Sequence, residues 1–187
     1  RYGQKLDKAR EAWRLLGDSL FDRGCPFDPM VHAPDRVWAE GTIWGQPLEP
    51  RERALAGTAL NLLLGCRDEL AGNPQYEFDL VSLMRDLISA RNHDVVQAMH
   101  AAWEEGDQGR LDARFRELKR QMRDVERLVG TQEEFLLGRW IAAARARADN
   151  PDDADLYEFN ARNIITLWGH ERRNIRDYAY RHWQGLI

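Results

Sequence analysis

Outside one interrupted stretch, the apolar residues of this 187-residue chain return every third or fourth position and almost never alternate. That spacing places them on one stripe of a helix, not on one face of a strand, so the chain is expected to fold as helices packed on helices. The interruption runs from Gly24 to Pro50. Pro26, Pro29, Pro34, Pro47 and Pro50, with Gly24, Gly41 and Gly45, forbid a long helix or a central strand there. The same segment carries Phe27, Val31, Val37, Trp38, Ile43 and Trp44, so it is expected to be an apolar loop that packs on something. The length suits one domain with a sizeable core. The expectation is an all-α fold of about seven helices in one bundle-like domain, with a Pro/Gly-rich aromatic loop at about 24–50.

Leu6, Ala9, Trp13, Leu16 and Leu20 mark a first helix near 4–20. Pro50 suits the first turn of a second, striped by Leu55, Ala59, Leu62, Leu63, Cys66 and Leu70 and stopped by Gly72 and Pro74. A third helix, roughly 75–105, turns Phe78, Val81, Met84 or Leu83, Ile88, Val95, Met99 and Trp103 inward. Gly106 and Gly109 lead into a fourth near 109–129, with Leu111, Phe115, Leu118, Met122, Val125 and Val129 inward and Gly130 at its end. Thr131 and Glu134 have the spacing of a capping box for a fifth helix running to about Ala148. Asp149-Asn150-Pro151 breaks the chain, Asp152 or Asp153 caps a sixth helix reaching about Leu167, and a seventh begins near Asn174.

A net charge of −4 and a pI near 5.8 argue against nucleic acid or an anionic membrane as the main partner. No apolar run approaches the roughly 20 residues that span a bilayer, and Arg1 does not open a signal peptide. The chain starts without Met, so a mature or excised piece is expected. Cys25 and Cys66 form neither a metal-type pair nor a disulfide framework; two buried thiols and a single disulfide are both open.

Motifs for complete catalytic chemistry are missing. The chain holds no glycine-rich or Walker phosphate loop, no HExxH, no Glu-x-x-His pair and no nucleophile elbow. His93 and His100 are placed to share a helix face but lack carboxylates at ligand spacing, so neither a metal nor a cofactor is expected. Carboxylates are plentiful, yet nothing singles out two held at the separation a glycosidase needs.

Binding chemistry gathers between Asn160 and Ile187. Trp168 and Gly169 close one helix, a short charged loop follows, and Ile175, Asp177, Tyr178, Tyr180, His182 and Trp183 share the next. Aromatic faces with hydrogen-bonding groups between them suit the wall of a sugar site. The same residues suit two helices burying aromatics in a core, and residue types alone leave both readings open.

Five segments then bring in a family. They are RYG at the start, YEFDLVSLMRD at 76–86, FLLGRWIAAAR at 135–145, YEFNARNIITLWG at 157–169 and NIRDYAYRHWQGL at 174–186. Their order resembles the C-terminal, all-helical domain of the α-N-acetylglucosaminidases, family 89 of the glycoside hydrolases. The resemblance implies a larger enzyme in which residues 1–187 are one helical domain and a (β/α)8 barrel lies upstream. It implies cleavage of terminal α-linked N-acetylglucosamine with retention, by two carboxylates on the barrel, so that this chain alone is expected to be inactive. The implied partners are the barrel of the same chain and an N-acetylglucosamine-terminated glycan. The implied setting is secreted or periplasmic in bacteria and lysosomal in animals.

Carried over by motif, the resemblance assigns Trp168, Ile175 and Tyr178 to the substrate pocket and makes Arg162 and Asp177 supports of that corner. Asp79 and Arg85 match a structural segment, and Trp140 and Trp183 are expected in the core. Ser82 and Asp86 stand where the family usually has Asp and Gln, which alters a local polar network. The loop from Trp168 to Ile175 is about one residue longer than the family pattern, so a differently shaped rim is expected. The chain stops before the Tyr-Tyr-x-x-Arg-Trp segment that usually follows, and a truncated piece is expected. The alternative is a helical protein-interaction or structural module with no sugar-binding role.

Overall fold

A computed structural model of the chain describes residues 1–21 and 48–166. These residues form seven α-helices and no strand: α1 (Asp7–Leu16), α2 (Pro50–Leu64), α3 (Arg67–Leu70), α4 (Pro74–Glu104), α5 (Gln108–Val129), α6 (Leu137–Arg145) and α7 (Pro151–Thr166). A π-helical turn, Gly17–Phe21, extends α1, and a 3-10 turn, Glu133–Phe135, precedes α6. The all-α expectation holds. The stretch read as one second helix is two, α2 and α3, because the chain turns at Gly65 and Cys66. The loop expected at 24–50, Cys25 within it and the helix expected from Asn174 lie outside the described residues, apart from Leu48 to Pro50.

α1 packs on α2, α2 on α4, α4 on α5, and α6 on α7. The main core joins Ala12, Leu16 and Leu20 of the first helical segment to Ala56, Ala59 and Leu63 of α2, and to Tyr76 and Leu83 of α4. Cys66 belongs to this core as a free thiol whose Sγ donates to the Leu62 carbonyl at 3.4 Å. Tyr76 ties the layers together, its hydroxyl donating to the Leu63 carbonyl at 2.7 Å. A smaller core forms where Val81 of α4 meets Val125 and Val129 of α5. Because α4 feeds both, its buried residues spread over two sides, and a single inner stripe describes it poorly.

The end of that expected stripe is therefore corrected. Trp103 is 64% exposed and Phe115 of α5 50%. Both sit near the tip of the α4–α5 hairpin, where the chain reverses at Gly106 with φ +70°, a conformation that suits glycine.

The caps differ from expectation as well. Thr131 donates backwards to the Leu128 carbonyl at 2.7 Å, and α6 begins only at Leu137, so Thr131 and Glu134 form no capping box. The box is found at α2 instead, where Glu49 and Glu52 satisfy each other's backbone N–H groups. At α7 the capping side chain is Asn150, which accepts from the Asp153 N–H at 2.9 Å, so neither Asp152 nor Asp153 is the cap.

The first residues are stapled to the bundle. Arg1 donates to both oxygens of Asp79, at 2.6 and 2.5 Å, and its guanidinium lies 4.6 Å from the centre of the Trp13 ring. Trp13 Nε1 donates to the Tyr2 hydroxyl at 3.0 Å, and Asn73 Nδ2 donates to the Tyr2 carbonyl at 3.2 Å. Burial, then the Asp79 charge, raises the pKa of Tyr2 and keeps its phenol neutral.

Candidate functional site

The one sequence-predicted site residue within the described chain is Arg162, on α7. Trp168, Ile175, Asp177 and Tyr178 lie outside the described residues, as does Trp183. Asn150 and Pro151 start α7, and its sequence contains no glycine or further proline to interrupt it before Thr166.

A chain of charges fixes α7 on α6. Arg162 Nε donates to Glu158 Oε1 at 2.7 Å, one turn away. Arg145, from the last turn of α6, donates to Glu158 Oε2 at 2.7 Å and to Asp155 at 2.8 Å. The two guanidiniums, Arg162 first, hold the Glu158 carboxyl below its usual range. Glu158 thus bridges the two helices through its pairs with Arg145 and Arg162. The spacing Glu158-to-Arg162 was visible in the sequence as an i,i+4 pair, whereas Arg145 reaches it only through the fold.

The rest of α7 is arranged unusually. At about 100° per residue, Leu156, Tyr157, Asn160 and Ile164 fall in one sector, with Phe159 beside it. Leu156 is 52% exposed, Tyr157 39%, Phe159 64% and Ile164 52%. Asp153, Ala154, Glu158, Ala161 and Asn163 are half-buried, and they are not confined to one side of the helix. Four large apolar side chains of α7 are therefore exposed among the described residues.

Trp140 is corrected here too. It is 47% exposed, not in the core, with Nε1 donating to the Glu134 carbonyl at 3.0 Å. Phe135 is the aromatic that packs inward instead, stacking on Phe78 at 5.4 Å with the Arg85 guanidinium 5.3 Å from its centre. Asp86, at the position where the family usually has Gln, accepts from Arg85 at 2.7 Å. Asp79 holds Arg1 as described above.

Among the described residues no group of three or more His, Cys, Asp or Glu is placed to hold a metal ion. Burial lowers the pKa of His93, partly opposed by Asp94. His100 faces Glu104 at 3.5 Å.

The family model for the C-terminal domain of α-N-acetylglucosaminidase (NAGLU) matches residues 1–187, the whole chain. The chain belongs to this family. It is 30% identical to human α-N-acetylglucosaminidase over 201 aligned residues, covering 100% of this chain and 25% of that protein. Its fold matches the family 89 glycoside hydrolase of Clostridium perfringens in complex with 2-acetamido-1,2-dideoxynojirmycin, with a TM-score of 0.87 at 23% identity, over 100% of this chain and 22% of that one. A variant of the Clostridium perfringens enzyme in complex with its substrate, GlcNAc-α-1,4-galactose, matches with a TM-score of 0.85 at 24% identity, over 99% and 22%. The relatives are glycoside hydrolases, and the chain spans about a quarter of their length.

Proposed function

We propose that this α-N-acetylglucosaminidase C-terminal domain packs on a catalytic (β/α)8 barrel of the same protein and completes the pocket for a terminal α-linked N-acetylglucosamine. The observation that carries the reading is the whole-chain match to the family, joined to 30% identity with the human enzyme.

In this reading Trp168, Ile175 and Tyr178 line the pocket. An indole face packs on the apolar C–H face of a pyranose, an Ile side chain suits the acetamido methyl, and a Tyr hydroxyl bonds a ring hydroxyl while its ring stacks. Arg162 and Asp177 support this corner. The Arg145–Glu158–Arg162 chain favours such a role for Arg162, since it fixes the end of α7 from which Trp168 follows two residues after Thr166.

The chemistry belongs to the barrel. Retaining hydrolysis needs a nucleophilic carboxylate and an acid/base carboxyl about 5–5.5 Å apart, flanking an oxocarbenium-like transition state. This domain contributes walls and orientation, which raise kcat/KM by favouring the reacting geometry. A secreted, periplasmic or lysosomal setting accompanies the family assignment. Among the described residues, no helix is long and apolar enough to cross a membrane.

The test is Trp168→Ala in the enzyme that carries both parts, with melting temperature and kcat/KM measured on the same preparation. A lost stacking wall at the reacting sugar is worth ~1.5–4 kcal/mol, so kcat/KM for an aryl α-N-acetylglucosaminide should fall roughly 10–1000-fold with the fold intact. A large loss of stability with normal activity per folded molecule overturns the pocket assignment.

A further inference from the structure

Asn92 of α4 is 0% exposed, and neither its amide nitrogen nor its amide oxygen meets a hydrogen-bonding partner among the described residues. Gln121 of α5 is 8% exposed, and its Oε1 is also without a partner there. We propose that these two amides form a binding site for one internal water molecule, which bridges α4 to α5. The site is independent of the sugar pocket and of the proposed function.

Two features bring the amides together. First, they continue one seam. Val81, Ile88 and Asn92 recur at seven- and four-residue steps along α4, and Gln121, Val125 and Val129 at four-residue steps along α5. Val81 and Ile88 pack with Val125 and Val129, so Asn92 and Gln121 follow in the same groove towards the turn at Gly106. Second, side chains on a helix lean towards its N-terminus. The two helices run antiparallel, so Asn92 leans away from the turn and Gln121 leans towards it, each in the direction of the other. Gln121 Nε2 donates to Glu117 Oε1 at 3.4 Å, and that same oxygen lies 3.5 Å from Arg91 Nη2, on the residue next to Asn92. The head of Gln121 therefore stands at the level of Arg91 and Asn92. The two amides make no bond to each other, so satisfying both requires a third group.

The unmet atoms select what that group is. Asn92 Nδ2 is a donor, and Asn92 Oδ1 and Gln121 Oε1 are acceptors. A cation has no use for the donor, and an anion has none for the acceptors. Water matches all three: it accepts from Asn92 Nδ2, returns one hydrogen to Asn92 Oδ1 and gives the other to Gln121 Oε1. Three bonds is about what an internal water makes. The nearest ionised group, Glu117, is already held by Arg114 and Arg91, so no free charge competes for the site. Ordering one water costs less than leaving buried amide groups without partners.

The first experiment is a crystal structure of the unmutated protein at a resolution that shows ordered solvent. A water at hydrogen-bonding distance, roughly 2.7–3.2 Å, from both Asn92 and Gln121 is the expected result. A direct bond between the two amides, or a side chain from residues 22–47 or 167–187 bonded to Asn92 in place of the water, overturns the proposal. The second experiment compares urea midpoints of Asn92→Leu, Gln121→Leu and the double variant. Each single substitution leaves the other amide without its bridge, whereas the double removes both polar ends. The double variant should therefore lose less than the sum of the two single losses, although the residues do not touch. Additive losses count against a shared water. If a variant fails to fold, the solvent seen in the unmutated protein still decides.

Discussion

Stripping the partners of the Arg1–Asp79 pair one at a time should give unequal results, and the inequality follows from burial. The Asp79 side chain is 5% exposed and the Arg1 side chain 46%. Asp79→Ala removes the acceptor of two charged hydrogen bonds and of a third from Gln75 at 3.3 Å, but leaves a guanidinium that water can reach. Charged hydrogen bonds contribute about 1.5–3 kcal/mol each where well buried, and exposure of the partner discounts this, so we expect a total near 2 kcal/mol. Arg1→Ala leaves a carboxylate in a site water scarcely enters, and loss of one member of such a pair costs about 3 kcal/mol or more. At about 2–4 °C per kcal/mol for a domain of this size, the melting temperature should fall roughly 4–8 °C for Asp79→Ala and further for Arg1→Ala. Thermal unfolding followed by far-UV circular dichroism measures both. The double variant should be less unstable than the sum of the singles by ~1 kcal/mol or more. Additive losses, or Asp79→Ala costing more than Arg1→Ala, would refute the reasoning that burial of the carboxylate dominates.

Other outcomes follow from the same geometry. Leu63 has no exposed surface, so Leu63→Ala should cost about 3 kcal/mol, whereas Trp103→Ala should stay within about 0.5 kcal/mol; urea midpoints that rank them the other way would contradict the core described here. Burial sets the folded pKa of His93 below its ordinary 6.5, so the unfolded chain takes up the proton first, and stability present above about that pH is lost as pH falls through 6.5 towards the lower folded value. In His93→Gln the decline in urea midpoint between pH 8 and 5 should be shallower, and parallel declines would rule the histidine out. Burial raises the Cys66 thiol pKa, so a thiol reagent at neutral pH should modify it far more slowly in the folded chain than in urea; fast native labelling of Cys66 would be evidence against its place in the core.

How much of the fold was legible depended on how local its determinants were. The 3.6-residue period found α1, α4 and α5 to within a few residues, because the apolar stripe and the glycine stops lie in the same stretch of chain. The caps at Thr131 and Asp152 or Asp153 were misjudged for an equally local reason. At the second boundary Asp149, Asn150, Asp152 and Asp153 are rivals for the same N–H groups, and at the first the Thr131 hydroxyl bonds back to the Leu128 carbonyl instead. Trp103, Phe115 and Trp140 were assigned inward on hydrophobicity alone, but α4 has two neighbours and its last turns outrun both cores. The Arg1–Asp79 pair, 78 residues apart, left no local trace at all.

For the functional corner the sequence carried the family and little of the geometry. The motifs around Trp168 and Tyr178 identify the relatives, yet their side chains lie outside the described residues, and of the five expected site residues only Arg162 falls within them. The same limit applies to α7. Its period declares an apolar stripe, but a period cannot say whether the chain itself supplies the cover. Among the described residues, Leu156, Tyr157, Phe159 and Ile164 of this helix stand exposed. In relatives that hold about three quarters of their length elsewhere, this domain has a large neighbour in the same chain.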